Sequence, residues 1–224
     1  MKLLLILFSI LTPFNSYGEV DLDMPQYKYT LWYENGQKKE EHYYKDEKLE
    51  GMKSVWYESG QKNTEINYLD GKLNGKYTWW FENGLISYEI NYKDDKIDGK
   101  KTIWNEDGQK ISMENFKESV ITDKVKFAYF DNGQIFYKAN YKNGELDGNL
   151  VFWKKNGQND EKRKYNKGVL VNKILYKYGF FTGQKTEQSY KNGKKNGKWT
   201  KWNKNGEIKY EKFYKDGECI SGDC

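Results

Sequence analysis

The sequence contains few of the residues from which most catalytic and metal sites are built. Its 224 residues include one histidine, one arginine, two cysteines and two prolines. A single histidine far from either cysteine provides neither a ligand set for zinc nor a base for a serine or cysteine nucleophile. The glycines form no G-x-G-x-x-G or Walker-type phosphate loop. We therefore expect a protein that is not an enzyme, with no catalytic residue, no metal ion and no cofactor.

The charged residues argue against a nucleic-acid partner. There are 38 basic and 33 acidic residues, for a net charge of +5, and every basic residue except Arg163 is a lysine. Proteins that bind nucleic acids depend on arginine for bidentate contacts with phosphates and bases. The lysines here are interleaved with Glu and Asp, which is typical of a solvated surface. We predict no nucleic-acid binding.

Long hydrophobic runs are absent from the interior, and the longest one lies at the N-terminus. Lys2 precedes nine apolar or small residues at positions 3–11, and Ser16 and Gly18 occupy the −3 and −1 positions of a small-x-small cleavage site. Nine residues are too few to span a bilayer. We predict that residues 1–18 are a signal peptide and that residues 19–28 lead into the mature domain. The mature protein is then exported to the periplasm or beyond, without a transmembrane anchor.

The apolar residues that the chain does have are largely aromatic, and they recur periodically. The segment W-Y-E-N-G-Q-K at residues 32–38 returns in seven further variants, at steps of 24 or 25 residues. Relative to the turn glycine, or Thr182 in the seventh copy, two columns are aromatic in all eight copies. The tryptophan column lies four residues earlier and contains Trp32, Trp56, Trp80, Trp104, Tyr129, Trp153, Tyr178 and Trp202. The tyrosine column lies eight residues later and contains Tyr44, Tyr68, Tyr92, Phe116, Tyr141, Tyr165, Tyr190 and Tyr214.

Each repeat has two turn signals, one of the E-N-G type and one of the D-G or N-G type. Between them, apolar and polar residues alternate, as in residues 64–68 and 88–92, which is typical of half-buried strands. Asn and Gly accept the positive φ of tight hairpin turns. We predict an all-β fold: an elongated antiparallel array of about eight hairpins over residues 29–222, with about sixteen strands in an open meandering sheet. Residues 223–224 are a tail, and the aromatic columns are expected to form the core.

The unit Y/W-x-x-N-G-x-x-x-x-E-x-x-Y-x-D-G-x-x-x-G resembles the variant MORN repeat of bacteria across about residues 29–222. Arrays of such units are often labelled YwqK-type antitoxins, so this resemblance implies a toxin-like protein partner. Choline-binding cell-wall repeats also combine Trp or Tyr with glycine hairpins, but we expect a shorter unit in that family.

Four aromatic residues adjacent to the tryptophan column are the candidate binding residues. Neighbouring residues of a strand point to opposite faces. If the tryptophan column faces the core, an aromatic strip therefore lies on the other face, formed by Tyr33, Tyr57, Phe81 and Phe130.

Three further features have structural interpretations. A glutamate column, Glu41, Glu65, Glu89, Glu187 and Glu211, is expected to form cross-strand pairs with lysines. His42 takes the place of Ile66 and Ile90 in the next two repeats and is expected to be a packed strand residue. Cys219 and Cys224 either close a small terminal disulfide or remain free or intermolecular thiols.

These observations favour an exported, non-catalytic, monomeric module that binds or scaffolds a protein partner, with a toxin-like protein as one candidate. A cell-envelope glycan binder that uses the aromatic strip is the first alternative. A cytoplasmic antitoxin is the second, and it requires that residues 1–18 are not a signal peptide.

Overall fold

The structure, a computed structural model, describes the backbone of residues 18–23, 26–179 and 182–224, and the side chains of residues 26–176 and 184–224. Almost all of the predicted signal peptide lies outside these residues. The described part contains nineteen β-strands and no helix, so it also contains no helix that could cross a membrane. The prediction of an all-β array of hairpin repeats is confirmed.

The chain divides into two compact units, Met1–Ile121 and Thr122–Cys224. The first unit contains β1 (Gly18–Asp23), β2 (Gln26–Trp32), β3 (Lys38–Lys45), β4 (Lys48–Leu49), β5 (Gly51–Trp56), β6 (Lys62–Leu69), β7 (Lys72–Trp80), β8 (Ile86–Lys93), β9 (Lys96–Trp104) and β10 (Lys110–Lys117). The second contains β11 (Val120–Tyr129), whose first two residues precede the boundary, β12 (Ile135–Lys142), β13 (Glu145–Trp153), β14 (Asn159–Asn166), β15 (Val169–Gly179), β16 (Thr182–Lys191), β17 (Lys194–Trp202), β18 (Ile208–Lys215) and β19 (Glu218–Gly222).

Strands that are consecutive in sequence pair antiparallel within each unit. In the first unit the pairing runs from β1–β2 to β9–β10, and β4 and β5 together pair with β3 as one interrupted strand. In the second unit it runs from β11–β12 to β18–β19. The sixteen strands expected from the repeats are therefore present. β1 precedes them, from the last residue of the predicted signal peptide into the predicted lead-in, and β19 follows them.

The two turn signals produce two different turns. In the E-N-G turn, Gly36 N donates a hydrogen bond to Tyr33 O (3.0 Å), Tyr33 N donates one to Gln37 O (2.8 Å), and Gly36 has a φ of 84°. This is a type I turn with a glycine bulge. The second turn has two central residues of positive φ, such as Asp70 (56°) and Gly71 (80°), as in type I′ turns. The two-residue turn at Glu118 (48°) and Ser119 (68°) has the same geometry without glycine.

The strand register places the two aromatic columns on opposite faces of the sheet. In β7 and β8, Tyr77 lies opposite Ile90, whereas the adjacent pair is Thr78 and Glu89. Residues opposite each other share a face, and successive residues alternate between faces. The tyrosine column lies on the first face, here called the tyrosine face. The tryptophan and glutamate columns lie on the second, here called the tryptophan face.

The tyrosine column covers a repeated glycine on the neighbouring strand. Gly75, with a φ of 101°, lies opposite Tyr92. A ring laid over a strand glycine restores packing that the glycine cannot supply. The same pairing joins Gly51 to Tyr68, Gly99 to Phe116, Gly148 to Tyr165 and Gly197 to Tyr214.

Neither face forms a deep core. Among the described residues no large side chain is fully buried, and both aromatic columns are half-buried. The buried apolar residues, Ile90, Ala139, Leu150 and Trp199, lie on the tyrosine face together with the buried hydroxyl residues Thr64 and Ser112. Five further buried hydroxyl residues lie on the tryptophan face: Thr30, Ser54, Thr78, Thr102 and Thr200. The expectation that both aromatic columns form one core is therefore wrong, because a single layer of strands shares its rings between two faces.

Candidate binding surface

The residues of the predicted aromatic strip lie where the E-N-G turns begin. Tyr33 Oη donates a hydrogen bond to Trp56 O (2.8 Å), and Tyr57 Oη donates one to Trp80 O (2.7 Å). Each acceptor belongs to the following repeat. Burial raises the pKa of both phenols, which favours the protonated, donating form. These two hydroxyls therefore connect successive repeats. The rings of Tyr33 and Tyr57 are half-buried and lie at the ends of the strands, beside the E-N-G turns.

The two phenylalanines of the strip pack against neighbouring rings. The Phe81 centroid lies 5.7 Å from that of Trp79 in the first unit. In the second unit, Phe130 lies 5.0 Å from Phe136, which is 40% exposed. The structure thus places Tyr33, Tyr57 and Phe81 at successive turns of the first unit, and Phe130 in a cluster of its own.

Sequence reasoning missed Phe136 and its neighbour Phe152, whose centroids lie 5.9 Å apart. Phe136 is a bulge residue, because Ala128 pairs with Tyr137 and Tyr129 pairs with Ile135. In two other repeats with this bulge, the extra residue also lies near the first residue of the turn: Lys39 lies over Tyr33, and Asp160 pairs with Lys154 at 3.8 Å. In the sequence, Phe136 belongs to a column that lies three residues after the turn glycine. A strict alternation of apolar and polar residues does not reveal that this column is the extra residue of a bulge.

The glutamate column pairs with lysines on the tryptophan face, but only some of these pairs cross between strands as expected. Glu65 with Lys62 and Glu187 with Lys185 are pairs within one strand. Glu41 Oε2 lies 2.7 Å from the Nζ atoms of both Lys28 and Lys38. Burial would raise the Glu41 pKa, but the hydrogen bonds from the two lysines outweigh this effect and lower it. The remaining pairs are Glu65 with Lys62, Glu89 with Lys76, Glu187 with Lys185 and Glu211 with Lys198. These carboxylates are occupied by ion pairing and do not form an acid/base pair.

His42 is a buried strand residue of the tyrosine face. Its ring lies between those of Tyr29 (4.8 Å) and Tyr44 (5.1 Å). Nδ1 lies 2.9 Å from Glu40 Oε1 but is not aligned for a hydrogen bond. Burial lowers the His42 pKa, assisted by Lys53 and opposed by Glu40. The His42 imidazole is therefore neutral and enclosed by aromatic rings, which suits a role in packing better than a role in proton transfer.

The charged segment at residues 160–164 lies in β14, and its charges on the tyrosine face are paired. On the tyrosine face, Glu161 accepts hydrogen bonds from Arg163 Nε (2.6 Å) and Nη2 (3.2 Å) and lies 2.9 Å from Lys173 Nζ. The Arg163 guanidinium lies 5.5 Å from the Phe152 ring. The hydrogen bond to Glu161 raises the Arg163 pKa. Burial would raise the Glu161 pKa, but the hydrogen bonds from Arg163 and Lys173 outweigh this effect and lower it.

A disulfide joins Cys219 to Cys224. The segment that it closes is also bonded to β18, because Asp223 N donates to Glu211 O (2.9 Å) and Glu211 N donates to Asp223 Oδ2 (3.0 Å). A Cβ atom on Gly222 would lie 2.3 Å from Glu211 O, so only glycine fits there. Residues 223–224, predicted to be a tail, follow β19, where Asp223 is hydrogen-bonded to Glu211 and Cys224 is held by the disulfide.

The described residues contain no group of three or more His, Cys, Asp and Glu side chains that could hold a metal ion. An open depression lies beside the type I′ turns of the first unit and is lined by Lys45, Asp46, Glu50, Leu69, Asp70, Lys72 and Asp94. Asp70 within it is paired with Lys48 at 2.8 Å. The candidate binding surface is thus the sheet itself, with its two half-buried faces.

Comparison with known proteins identifies the repeat. Four segments, residues 28–46, 73–94, 123–143 and 195–216, match the family model of the MORN repeat variant and together cover less than half of the chain. Repeats of this kind are generally protein-binding or membrane-binding modules. A search of curated proteins finds no match.

Among solved structures, a chain in the crystal structure of TcdB2-TccC3 is similar over 84% of this chain, with 10% identity and a TM-score of 0.17. The present chain spans 14% of that chain. A likeness at this TM-score supports no conclusion about fold or function.

Proposed function

We propose that this protein is an exported, non-catalytic module that binds a protein partner through one face of its hairpin array. The match to the MORN repeat variant carries the proposal, because such repeats generally bind proteins or membranes. The side chains that would be reactive in an enzyme are engaged in packing or ion pairs: His42 between two tyrosine rings, and the glutamate column with lysines.

The open faces support a role in binding. A single layer of strands leaves rings half-exposed on both sides, and partly exposed aromatic surface is the surface on which protein partners dock. A toxin-like protein is one such partner, as the resemblance to antitoxin arrays implies. The glycan-binding alternative is weaker, because Tyr33 and Tyr57 direct their hydroxyls to backbone carbonyls of the next repeat.

The binding proposal is tested by a comparison of two ligands. The full chain, purified from cells that produce it, is offered to solubilised envelope protein and, separately, to protein-free cell wall. We expect one protein to be retained in a fixed ratio to the chain and the cell wall to retain none of it. Retention on cell wall alone would contradict the proposal and favour the glycan alternative.

Export is tested by sequencing the N-terminus of the native protein. We expect it to begin at or within a few residues of Glu19. Recovery of intact Met1 or Lys2 from a cytoplasmic fraction would refute export and favour the cytoplasmic antitoxin.

A further inference from the structure

A row of residues that runs across the strands of the tryptophan face differs between the two units. In the first unit, hydroxyl residues alternate with glutamates along Thr30, Glu41, Ser54, Glu65, Thr78, Glu89 and Thr102. In the second unit, the same row runs through Phe127, Lys138, Val151, Lys162 and Ile174 before Glu187 and Thr200 restore the pattern. Lysine therefore replaces glutamate twice, and apolar residues replace the hydroxyls.

The flanking rows do not neutralise these lysines. On the tryptophan face of β11–β15, one flanking row contains Val125, Asn140, Asn149, Lys164 and Asn172, and the other contains Tyr129, Ile135, Trp153, Asn159 and Tyr176. Beside these rows lies Asp160, the bulge residue next to Asn159, whose carboxylate is 3.8 Å from Lys154 Nζ. The ion pairs formed by the described residues of β14 join Asp160 to Lys154 and, on the opposite face, Glu161 to Arg163 and Lys173; none of them involves Lys138, Lys162 or Lys164.

The spacing of Lys162 and Lys164 matches that of alternate residues in an extended chain, and Lys138 lies to one side of them. Lys162 and Lys164 are alternate residues of β14, so their Cα atoms are about 7 Å apart, and Lys138 lies two strands away, about 10 Å from Lys162. Alternate residues of an extended peptide are also about 7 Å apart. Lys138 and Lys164 are exposed, Lys162 is half-buried, and Lys138 Nζ lies 5.8 Å from the Phe127 ring.

We propose that this cationic patch, defined by Phe127, Lys138, Val151, Lys162, Lys164 and Ile174, docks an extended acidic segment of a protein partner in which acidic and apolar residues alternate. The proposal rests on the protein-binding function above and gives the chemistry of the partner. Carboxylates at alternate positions contact the lysines, and the apolar residues of the row exclude water around these contacts, which strengthens them. Three lysines among apolar and amide side chains suit a peptide better than an anionic bilayer, which is held by clusters of four to eight basic residues.

The test uses the full chain and a defined probe, a fluorescent peptide of sequence Ser-Glu-Val-Glu-Val-Glu-Ser, measured by anisotropy. We expect saturable binding that weakens as salt is raised, and about tenfold or greater loss of affinity in Lys138→Gln/Lys162→Gln. Lys62→Gln/Lys76→Gln removes the same charge from paired lysines of the first unit and should change affinity less than about twofold. Lys164→Gln, at an exposed position, is a second patch variant that preserves folding and should weaken binding severalfold.

Three results would overturn the assignment: equal affinity in both double variants, equal binding of a peptide with Lys in place of Glu, or binding only to phosphatidylglycerol vesicles. The partner experiment separates this assignment from the general function. If wild type and Lys138→Gln/Lys162→Gln retain the same envelope protein equally, the patch is refuted while protein binding stands. If wild type retains no protein, the general function is refuted.

Discussion

At the scale of single residues, the hydroxyls of Tyr33 and Tyr57 act across the boundary between repeats. Each donates to a carbonyl oxygen 23 residues further along the chain. A hydrogen bond of this kind contributes about 1 kcal/mol to the free energy of unfolding. Because each repeat of a linear array contacts mainly its neighbours, such bonds influence how cooperatively the hairpins unfold.

We expect Tyr57→Phe to lower the free energy of unfolding by about 1 kcal/mol in chemical denaturation, because Trp80 O loses its donor. The control is Tyr43→Phe, since Tyr43 is 40% exposed and its hydroxyl makes no hydrogen bond among the described residues. Equal effects of the two substitutions would show that the hydroxyl of Tyr57 does not connect the repeats.

His42 should make the first unit sensitive to mild acid. Its pKa in the folded chain lies below the ordinary value of 6.5 because the ring is buried. The unfolded chain therefore binds a proton more readily than the folded chain. The contribution of neutral His42 to the free energy of unfolding is fully present above pH 6.5 and is lost as the pH falls below 6.5 and through the lower pKa of the folded chain.

His42→Ile supplies the residue found at this position in the next two repeats, Ile66 and Ile90, and should remove this dependence. The measurement is the free energy of unfolding between pH 5 and 7, a range above the ordinary pKa of the carboxylates. An unchanged slope in the variant would contradict the assignment to His42.

The residue scale also shows where the sequence was informative. The pairing of the glutamate column with lysines and the packing of His42 could be predicted, because the equivalent positions in other repeats are also strand residues. The hydrogen bonds of Tyr33 and Tyr57, and the contact of Phe130 with Phe136, could not. They depend on the turn geometry and on a bulge that shifts the alternation by one residue.

At the scale of elements, the type I′ turns carry strain in some repeats. Glu47 occupies the second central position with a φ of 63°, where Gly71 of the next repeat has 80°. A left-handed conformation costs a non-glycine residue about 1–2 kcal/mol, part of which is offset because glycine is freer in the unfolded chain.

We expect Glu47→Gly to raise the free energy of unfolding by about 0.5–1 kcal/mol, and Gly71→Ala to lower it by about 1 kcal/mol. A Cβ atom at Gly71 would come no closer than 3.6 Å to Lys48, so the loss would reflect backbone strain and not a clash. Denaturation midpoints of both variants test this. Destabilisation by Glu47→Gly would contradict the assignment of strain.

The terminal disulfide should act on the last hairpin alone. Reduction, or Cys219→Ser with Cys224→Ser, is expected to release the segment that bonds to Glu211, at a cost of about 2 kcal/mol at most for so short a loop. Hydrogen exchange should accelerate at the Glu211 and Asp223 amides and remain unchanged in β2–β10. Acceleration throughout the first unit would contradict a local role.

At the scale of the whole molecule, a repeat of 24 or 25 residues was sufficient to predict the sixteen strands of the eight hairpins and their order. Each copy repeats its turns, and consecutive strands pair. The distribution of burial was not predictable from the sequence. Two aromatic columns suggested a single core, but the strand register places the columns on opposite faces of the sheet. β1 and β19 also escaped prediction, since neither belongs to a complete repeat.

The central claim is that this array binds a protein. Native mass spectrometry of the chain, purified without denaturant from the compartment in which it resides, tests it most directly. The account predicts a complex of the mature chain with one further protein in a fixed ratio, which dissociates as salt is raised. A spectrum that contains only the bare chain, or the chain with carbohydrate, would contradict the claim.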